Sequence, residues 1–419
     1  MKGINNPNFK NDFSYSHSVL QSLSCLDCAN DFLKLTNTFN LKNSPKFALT
    51  NALFDLFHDL HNGKEGNSQN TIATFINSYH NNASIIKTNK VISHDPFYFL
   101  YFLLQFLHME NNMPSNHNYN LQNLCSQNLQ IQKNDEKMFS LFRDFWNQTQ
   151  NSMISNYFFS IERNLYRCMN CQDYFSYGMK SIFTIKTEMV KFYRNKFNPS
   201  DSGKNINLDD CFRNYCGGNK QNCKFCGNQN ISKLNKFVIP ANVLIFYFER
   251  KKHTFKNDVD FNFNININEY ISKSRTVGFT INSNYILKAC ISYCGLGKYF
   301  AFCYINKRWC KFMDNNVGKL NNIGEIYNYE PQILIYELNQ NNYNNNFNNN
   351  DKNQDTNLYK FDMSNNAMNN NMNNNINNNM NNNNLNPLNN NNLNNQLKQN
   401  IINAQNQNNK FFLSIFQFA

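Results

Sequence analysis

The sequence predicts an α+β fold, with helices in the first part of the chain and a sheet in the later part. Three observations carry this. Apolar residues recur at helical spacing through roughly the first 150 positions. From about Ile154 the pattern changes to short runs rich in Ile, Val, Phe and Tyr, bounded by turn residues. Two C-x-x-C pairs fall inside that β region. With hydrophobic residues at 41% and aromatics at 15%, the 419-residue chain has enough apolar material for a large core.

The helices come first. Ser14 or Ser16 is placed to cap a helix whose apolar face holds Val19, Leu20, Leu23 and Leu26. Cys25 and Cys28 fall three or four turns further along the same pattern. Leu53, Phe54, Leu56, Phe57 and Leu60 give a second amphipathic helix, and the run from Phe97 to Leu107 a third. That run is too short to cross a bilayer and continues into Gln105 and His108, so it reads as a buried helix. Strand-like stretches follow at 181–185, 237–248, 261–267, 285–293, 299–305 and 332–338. After Leu338 the chain turns almost wholly to Asn. Such a tract buries too little apolar surface to offset its ordering entropy, so 339–410 is expected to be a disordered tail. A short apolar tip, 411–419, closes the sequence. No internal repeat is visible.

The formal charge of +12 admits nucleic acid or an acidic surface as a partner. The Lys and Arg residues are scattered, however, with no basic stripe interleaved with aromatics, which argues against a zinc-containing nucleic-acid scaffold. The opening MKGINNPNFKND lacks an apolar signal core. The expectation is therefore an intracellular protein, cytoplasmic or nuclear, in a reducing compartment and without a membrane anchor. Paired cysteines are then read first as metal ligands. Cys168 with Cys171, and Cys223 with Cys226, are two knuckles whose four thiolates satisfy one tetrahedral Zn²⁺ and leave no open position. The ion would be structural. Either pair alone could be a redox pair or chance spacing; two in one reducing-compartment chain favour zinc. The 51 residues between the pairs imply a long β insertion. Cys211 and Cys216 lie nearby without a matching pair and read as spare thiols.

The order of motifs resembles the ubiquitin-specific protease family. Ser18-Val-Leu-Gln-Ser-Leu23 resembles the helix after that family's catalytic cysteine, and Gly3-Ile-Asn-Asn6 its opening G-x-x-N. His94-Asp-Pro-Phe-Tyr-Phe-Leu100 resembles its second block, with Tyr98 in place of the usual Glu. The two knuckles and the segment from Ile239 to Arg250 resemble its fingers and the strand after them. The stretches from Tyr285 to Gly295, Gly297 to Ala301, Trp309 to Phe312 and Gln332 to Tyr336 resemble its closing blocks. The resemblance spans nearly all of 1–338. It implies a papain-like cysteine protease fold with a helical thumb (1–150), zinc-bearing β fingers (151–236) and a β palm (237–338), and ubiquitin or a ubiquitinated protein as partner.

The same resemblance locates three departures. Counting back from Ser18, the nucleophile position holds Ser14. A serine hydroxyl is far less acidic than a thiol and needs a strong base. The base position, the His of G-H-Y, holds Lys298, and the orienting position after W-x-x-F holds Met313. Asp314 matches a second acid of the family. Asn6 stands at the expected oxyanion position, but the segment before Ser14 is about three residues longer than usual. No Cys precedes Cys25 and no His follows His253, so no neighbouring side chain repairs the set. The resemblance thus implies a non-catalytic ubiquitin-binding or scaffolding module, acting in a larger protein or ribonucleoprotein assembly. Its alternative is an active deubiquitinating hydrolase. A Ser14–Lys298 dyad would need a deprotonated lysine, which Asp314 opposes. His17, one turn after Ser14, is the other candidate base; it reads as a semi-exposed helix residue. Cys294 and Cys303, flanking Lys298, read as buried inert thiols.

Overall fold

Helix α1 (Ser14–Ser24) has every residue buried. The computed structural model describes residues 4, 13–38, 45–62, 68–84, 94–112, 152–171, 174–189, 206–217, 222–223, 226–229, 231–250, 259–272 and 282–339. Asn6, the Asn-rich tail from 340 and the apolar tip lie outside them. A serine-rich helix can be buried all round because its hydroxyls bond back to its own carbonyls. Ser18 Oγ donates to Tyr15 O at 2.8 Å and Ser22 Oγ to Ser18 O at 2.7 Å. The expected serine cap is not made. The residue before the helix is Phe13, with no side-chain cap. Ser16 Oγ donates to Phe13 O at 2.9 Å, and the Ser14 hydroxyl is used elsewhere.

The chain breaks at Cys25 and restarts as α2 (Asp27–Thr38), so Cys25 and Cys28 do not share one continuous helix. Next come α3 (Ala48–Asn62), α4 (Ser68–Ala83) and α5 (Pro96–Asn111). In α4 the apolar positions Ile72, Phe75, Tyr79 and Ala83 do repeat at helical spacing and are buried, but the polar residues between them mask the pattern in sequence. Helix α5 begins with Pro96 at its first turn and with the Asp95 carboxylate accepting from Phe97 N at 2.7 Å.

After α6 (Met153–Phe158) the strands begin. Strands β1 (Ser160–Cys168), β2 (Tyr174–Ile182) and β5 (Ile231–Ile239) form an antiparallel sheet in the order β2-β1-β5. The main sheet runs β12 (Asn316–Lys319), β11 (Arg308–Met313), β10 (Lys298–Ile305), β9 (Asn284–Gly295), β13 (Glu330–Leu338), β6 (Val243–Glu249) and β3 (Ile185–Glu188). Short β8 (Asn264–Asn266) pairs with β9, and β4 (Ile206–Asn207) with β7 (Val259–Asp260).

The strand expected at 237–248 is two strands in two sheets. Pro240, which has no N–H to give to a ladder, marks the break. There Ala241 N donates to Ser160 Oγ at 2.8 Å and the chain passes from one sheet to the other. Within 261–267 only β8 is a strand. Strand β6 is an apolar run because both its faces are covered. Tyr247 stacks on Phe97 of α5 with centroids 3.8 Å apart. Phe246 meets Phe212 of α7 (Leu208–Cys216), a helix that the sequence reading did not anticipate. Cys211 and Cys216, read as spare thiols, are buried core residues on α7.

Candidate functional site

Helix α1 packs against α5 on one side and against β9, β10 and β11 on the other. This seam between the helical layer and the sheet is where the sequence placed its catalytic positions. Ser14, at the start of α1, is 3% exposed, and its Oγ accepts the backbone N–H of Tyr299 at 3.1 Å. Lys298, next in the chain to that donor, is exposed at the first position of β10. Met313 ends β11 and is 40% exposed. Asp314 follows in the turn to β12, with φ of 50°, a left-handed conformation that Asp tolerates.

His17 overturns its expected semi-exposed placement. It is 3% exposed, and its Nδ1 lies 2.7 Å from Asp314 Oδ1. A carboxylate accepts, so Nδ1–H is the donor in this pair and Nε2 is the ring nitrogen left over. The acid expected to sit beside the base position is thus bonded to α1 instead. Sequence reading missed both cross-seam bonds. One uses a backbone N–H, which no side-chain motif can reveal. The other joins residues almost 300 positions apart, and its only trace in sequence is a polar ring at a helix position facing the sheet.

The turn before Lys298 is Gly295-Leu296-Gly297, all three at positive φ. Leu296, at its tip, is 96% exposed. Cys294 is exposed, contrary to expectation, and its thiol donates to Lys298 O at 3.3 Å; Cys303 is fully buried as expected.

The seam is also fastened further along. The carboxylate of Glu337, on β13, accepts the backbone N–H groups of Asp27 at 3.0 Å and Cys28 at 3.2 Å, the first turn of α2. Burial, then the neighbouring Asp27, raises the Glu337 carboxyl to about 7. Lys288 lies 2.9 Å from Asp27 and 3.5 Å from Glu337. Burial works against its ammonium, but the bonds to these two carboxylates outweigh that and raise its pKa.

The four knuckle cysteines converge at the far end of the three-stranded sheet. Their Sγ atoms all lie within 4.8 Å of one another. Cys168 and Cys226 are 3.5 Å apart, Cys171 and Cys223 3.7 Å. Tetrahedral Zn–S bonds of about 2.3 Å put sulfurs about 3.8 Å apart, so the cluster can hold zinc. Gly227, at φ 69°, donates to Cys223 O at 2.9 Å and closes the second knuckle; a Cβ there would be strained. Hydrogen bonds from the Asn228 backbone and the Asn170 side chain lower the Cys226 thiol to about 6, favouring the thiolate that a metal needs.

The family model for ubiquitin carboxyl-terminal hydrolase matches residues 5–336. The chain belongs to the ubiquitin carboxyl-terminal hydrolase family. Solved structures that resemble it include the yeast SAGA DUBm with an Sgf73 mutant, at 17% identity and a TM-score of 0.56, covering 81% of this chain and 69% of that one. The SAGA Ubp8/Sgf11/Sus1/Sgf73 DUB module bound to ubiquitin aldehyde matches at 17% identity and a TM-score of 0.56, covering 81% and 70%. The SAGA DUB module of a Ubp8 variant bound to monoubiquitin matches at 16% and 0.55, covering 81% and 69%. Among curated protein sequences none matches. The fold is therefore of the ubiquitin-specific protease type, with the helical layer as thumb, the main sheet as palm and the three-stranded sheet as fingers. Among the described residues no helix is long and apolar enough to cross a membrane.

Proposed function

We propose that this member of the family is a non-catalytic, intracellular ubiquitin-binding or scaffolding module. One observation carries the reading. The hydroxyl at the nucleophile position is buried and holds the backbone N–H of Tyr299, while Lys298 beside it is exposed and Met313 offers no polar atom to orient a base. A seam bonded this way supports rigid docking of thumb on palm. General-base activation of Ser14 would require a base held against its hydroxyl, whereas Lys298 is exposed and the hydroxyl faces the Tyr299 N–H. The knuckle cluster supports one structural Zn²⁺ held by Cys168, Cys171, Cys223 and Cys226. Four thiolates would fill the coordination of such an ion, so its role would be structural rather than catalytic. The ubiquitin-bound relatives support ubiquitin as the ligand, and their multi-subunit modules support a role inside an assembly.

One observation favours a second reading, residual hydrolase activity. His17, with Nδ1–H given to Asp314, keeps Nε2 as its other ring nitrogen one helical turn from Ser14. Two measurements on the full chain separate the readings. Titration against labelled ubiquitin should give saturable binding, and a fluorogenic ubiquitin C-terminal amide should not turn over. Lack of binding at high micromolar ubiquitin would remove the ubiquitin-binding reading. Turnover abolished by Ser14→Ala and by His17→Asn would establish the hydrolase instead.

A further inference from the structure

We propose that the free edge of β12 is a docking strand for an extended segment of a partner protein, one that sets an acidic residue opposite Lys319 and an apolar residue opposite Val317.

The main sheet ends in β3 on one side and in β12 on the other. On β3, Ile185 and Thr187 are buried. On β12 all four residues are exposed. The inner side of β12 is bonded to β11. Leu320 N donates to Trp309 O at 3.0 Å, which sets the phase of the ladder. Lys311 with Gly318, and Met313 with Asn316, are then the hydrogen-bonded pairs of β11 and β12. Val317 and Lys319 hold the alternate positions, so their N–H and C=O groups point away from β11. The edge thus offers two donors and two acceptors at strand spacing. Among the described residues no strand pairs with it.

The side chains along this edge give it a preference. Val317 stands opposite Phe312 and Lys319 opposite Cys310. Residues two apart on a strand share a face, so Arg308 lies on the face of Cys310, diagonal to Lys319. Val317 is 41% exposed, and Arg308 and Lys319 are exposed. Among the described residues no carboxylate pairs with either cation. An antiparallel segment bonded to Val317 and Lys319 puts two of its own side chains on this face, two residues apart. Read from its N-terminus, it is acidic, then any residue, then apolar. The middle residue falls beside Gly318, where a side chain meets open space.

The same charges argue against a second copy of this chain as the occupant. Two β12 strands paired about Gly318 would set the two Lys319 side chains diagonal to each other, with an Arg308 behind each. An acidic segment removes that repulsion and meets a chain whose formal charge is +12. The proposal uses only the sheet edge and stands whether or not ubiquitin binds.

The test is titration of the full-length protein against fluorescent acetyl-Thr-Glu-Tyr-Val-Thr-amide, read by anisotropy. The expected result is saturable binding, weakened about tenfold when Lys replaces the peptide's Glu or when the protein carries Lys319→Glu. N-methylation of the peptide at Glu or Val, whose N–H groups face β12, should abolish binding; N-methylation at Tyr, whose N–H faces away, should not. Val317→Pro deletes one outward N–H, takes no bond from β11, and should weaken binding as well. Lack of saturation at millimolar peptide would show β12 to be only a guarded edge and would overturn the proposal. So would N-methyl effects that do not alternate along the peptide, or a dimer of the protein that excludes it. The N-methylated peptides decide the matter on the unmutated protein, even where a variant fails to fold.

Discussion

At the fingertip, two knuckles far apart in sequence bring four thiols within 4.8 Å of one another, partly open to solvent. At the thumb–palm seam, segments several times further apart in sequence meet through a hydroxyl, an imidazole, carboxylates and backbone N–H groups, mostly buried. The fingertip groups are alike and converge on a point. The seam groups are unlike, bond in pairs and spread along α1 and the start of α2. Convergence of like donors makes a site for an ion. Pairwise satisfaction makes an interface, because polar groups on one segment meet partners on the other. Ser14 and Asp314 occupy positions that the family resemblance marks for chemistry, yet their polar atoms are taken up in holding α1 to the sheet.

The largest test of this contrast is at the fingertip. Metal analysis should find about one Zn²⁺ per chain, with apparent binding worth about 10 kcal/mol or more. Cys168→Ser or Cys223→Ser should release it and disorder the fingers by hydrogen exchange while α1 stays protected. Full zinc occupancy in either variant would dismantle the metal reading.

The second test concerns Glu337 and pH. Its carboxyl titrates near 7 when folded, against a reference of 4.5. An acid whose pKa is raised binds more protons in the folded state. Its contribution is thus fully present below about 4.5 and is lost as pH climbs through 7. Folding stability should fall by about 3 kcal/mol over that window from this group. Comparison of denaturant midpoints at pH 5 and pH 8 reads it, and Glu337→Gln should remove that share of the slope. An unchanged slope in the variant would show that the two α2 N–H bonds already keep the carboxylate ionised.

The smallest effect expected is at the cleft itself. Asp314→Ala leaves the buried His17 N–H without its acceptor and should cost about 2 kcal/mol. Asp314→Asn, which can still accept, should cost less. Equal losses from Ala and Asn would mean that the carboxylate's charge, rather than its acceptor geometry, holds the thumb to the palm.

Much of the architecture was legible in the sequence because periodicity and local chemistry report it. The apolar stripe of α3, the all-apolar run of α5 and the paired C-x-x-C spacing each state their environment within a few residues. Less was legible where tertiary partners override local preference. Ser14 had the makings of a helix cap, but its hydroxyl goes to Tyr299 N. The stretch 237–248 reads as one strand because both halves are apolar, and the proline that divides it sends the halves to different sheets. Helix α4 escaped notice because polar residues outnumber the apolar positions that bury it, and α7 because nine residues give too short a pattern.

By itself, then, the sequence determined the succession from helices to sheet and the four thiols as one candidate ligand set. Those follow from spacing and residue type, which are local. Only the tertiary structure decided that Ser14 faces a backbone donor and that His17 is buried against Asp314. These depend on how segments roughly 280 to 300 residues apart are placed against each other, and pairing at that range is set by the packing of α1 on the sheet.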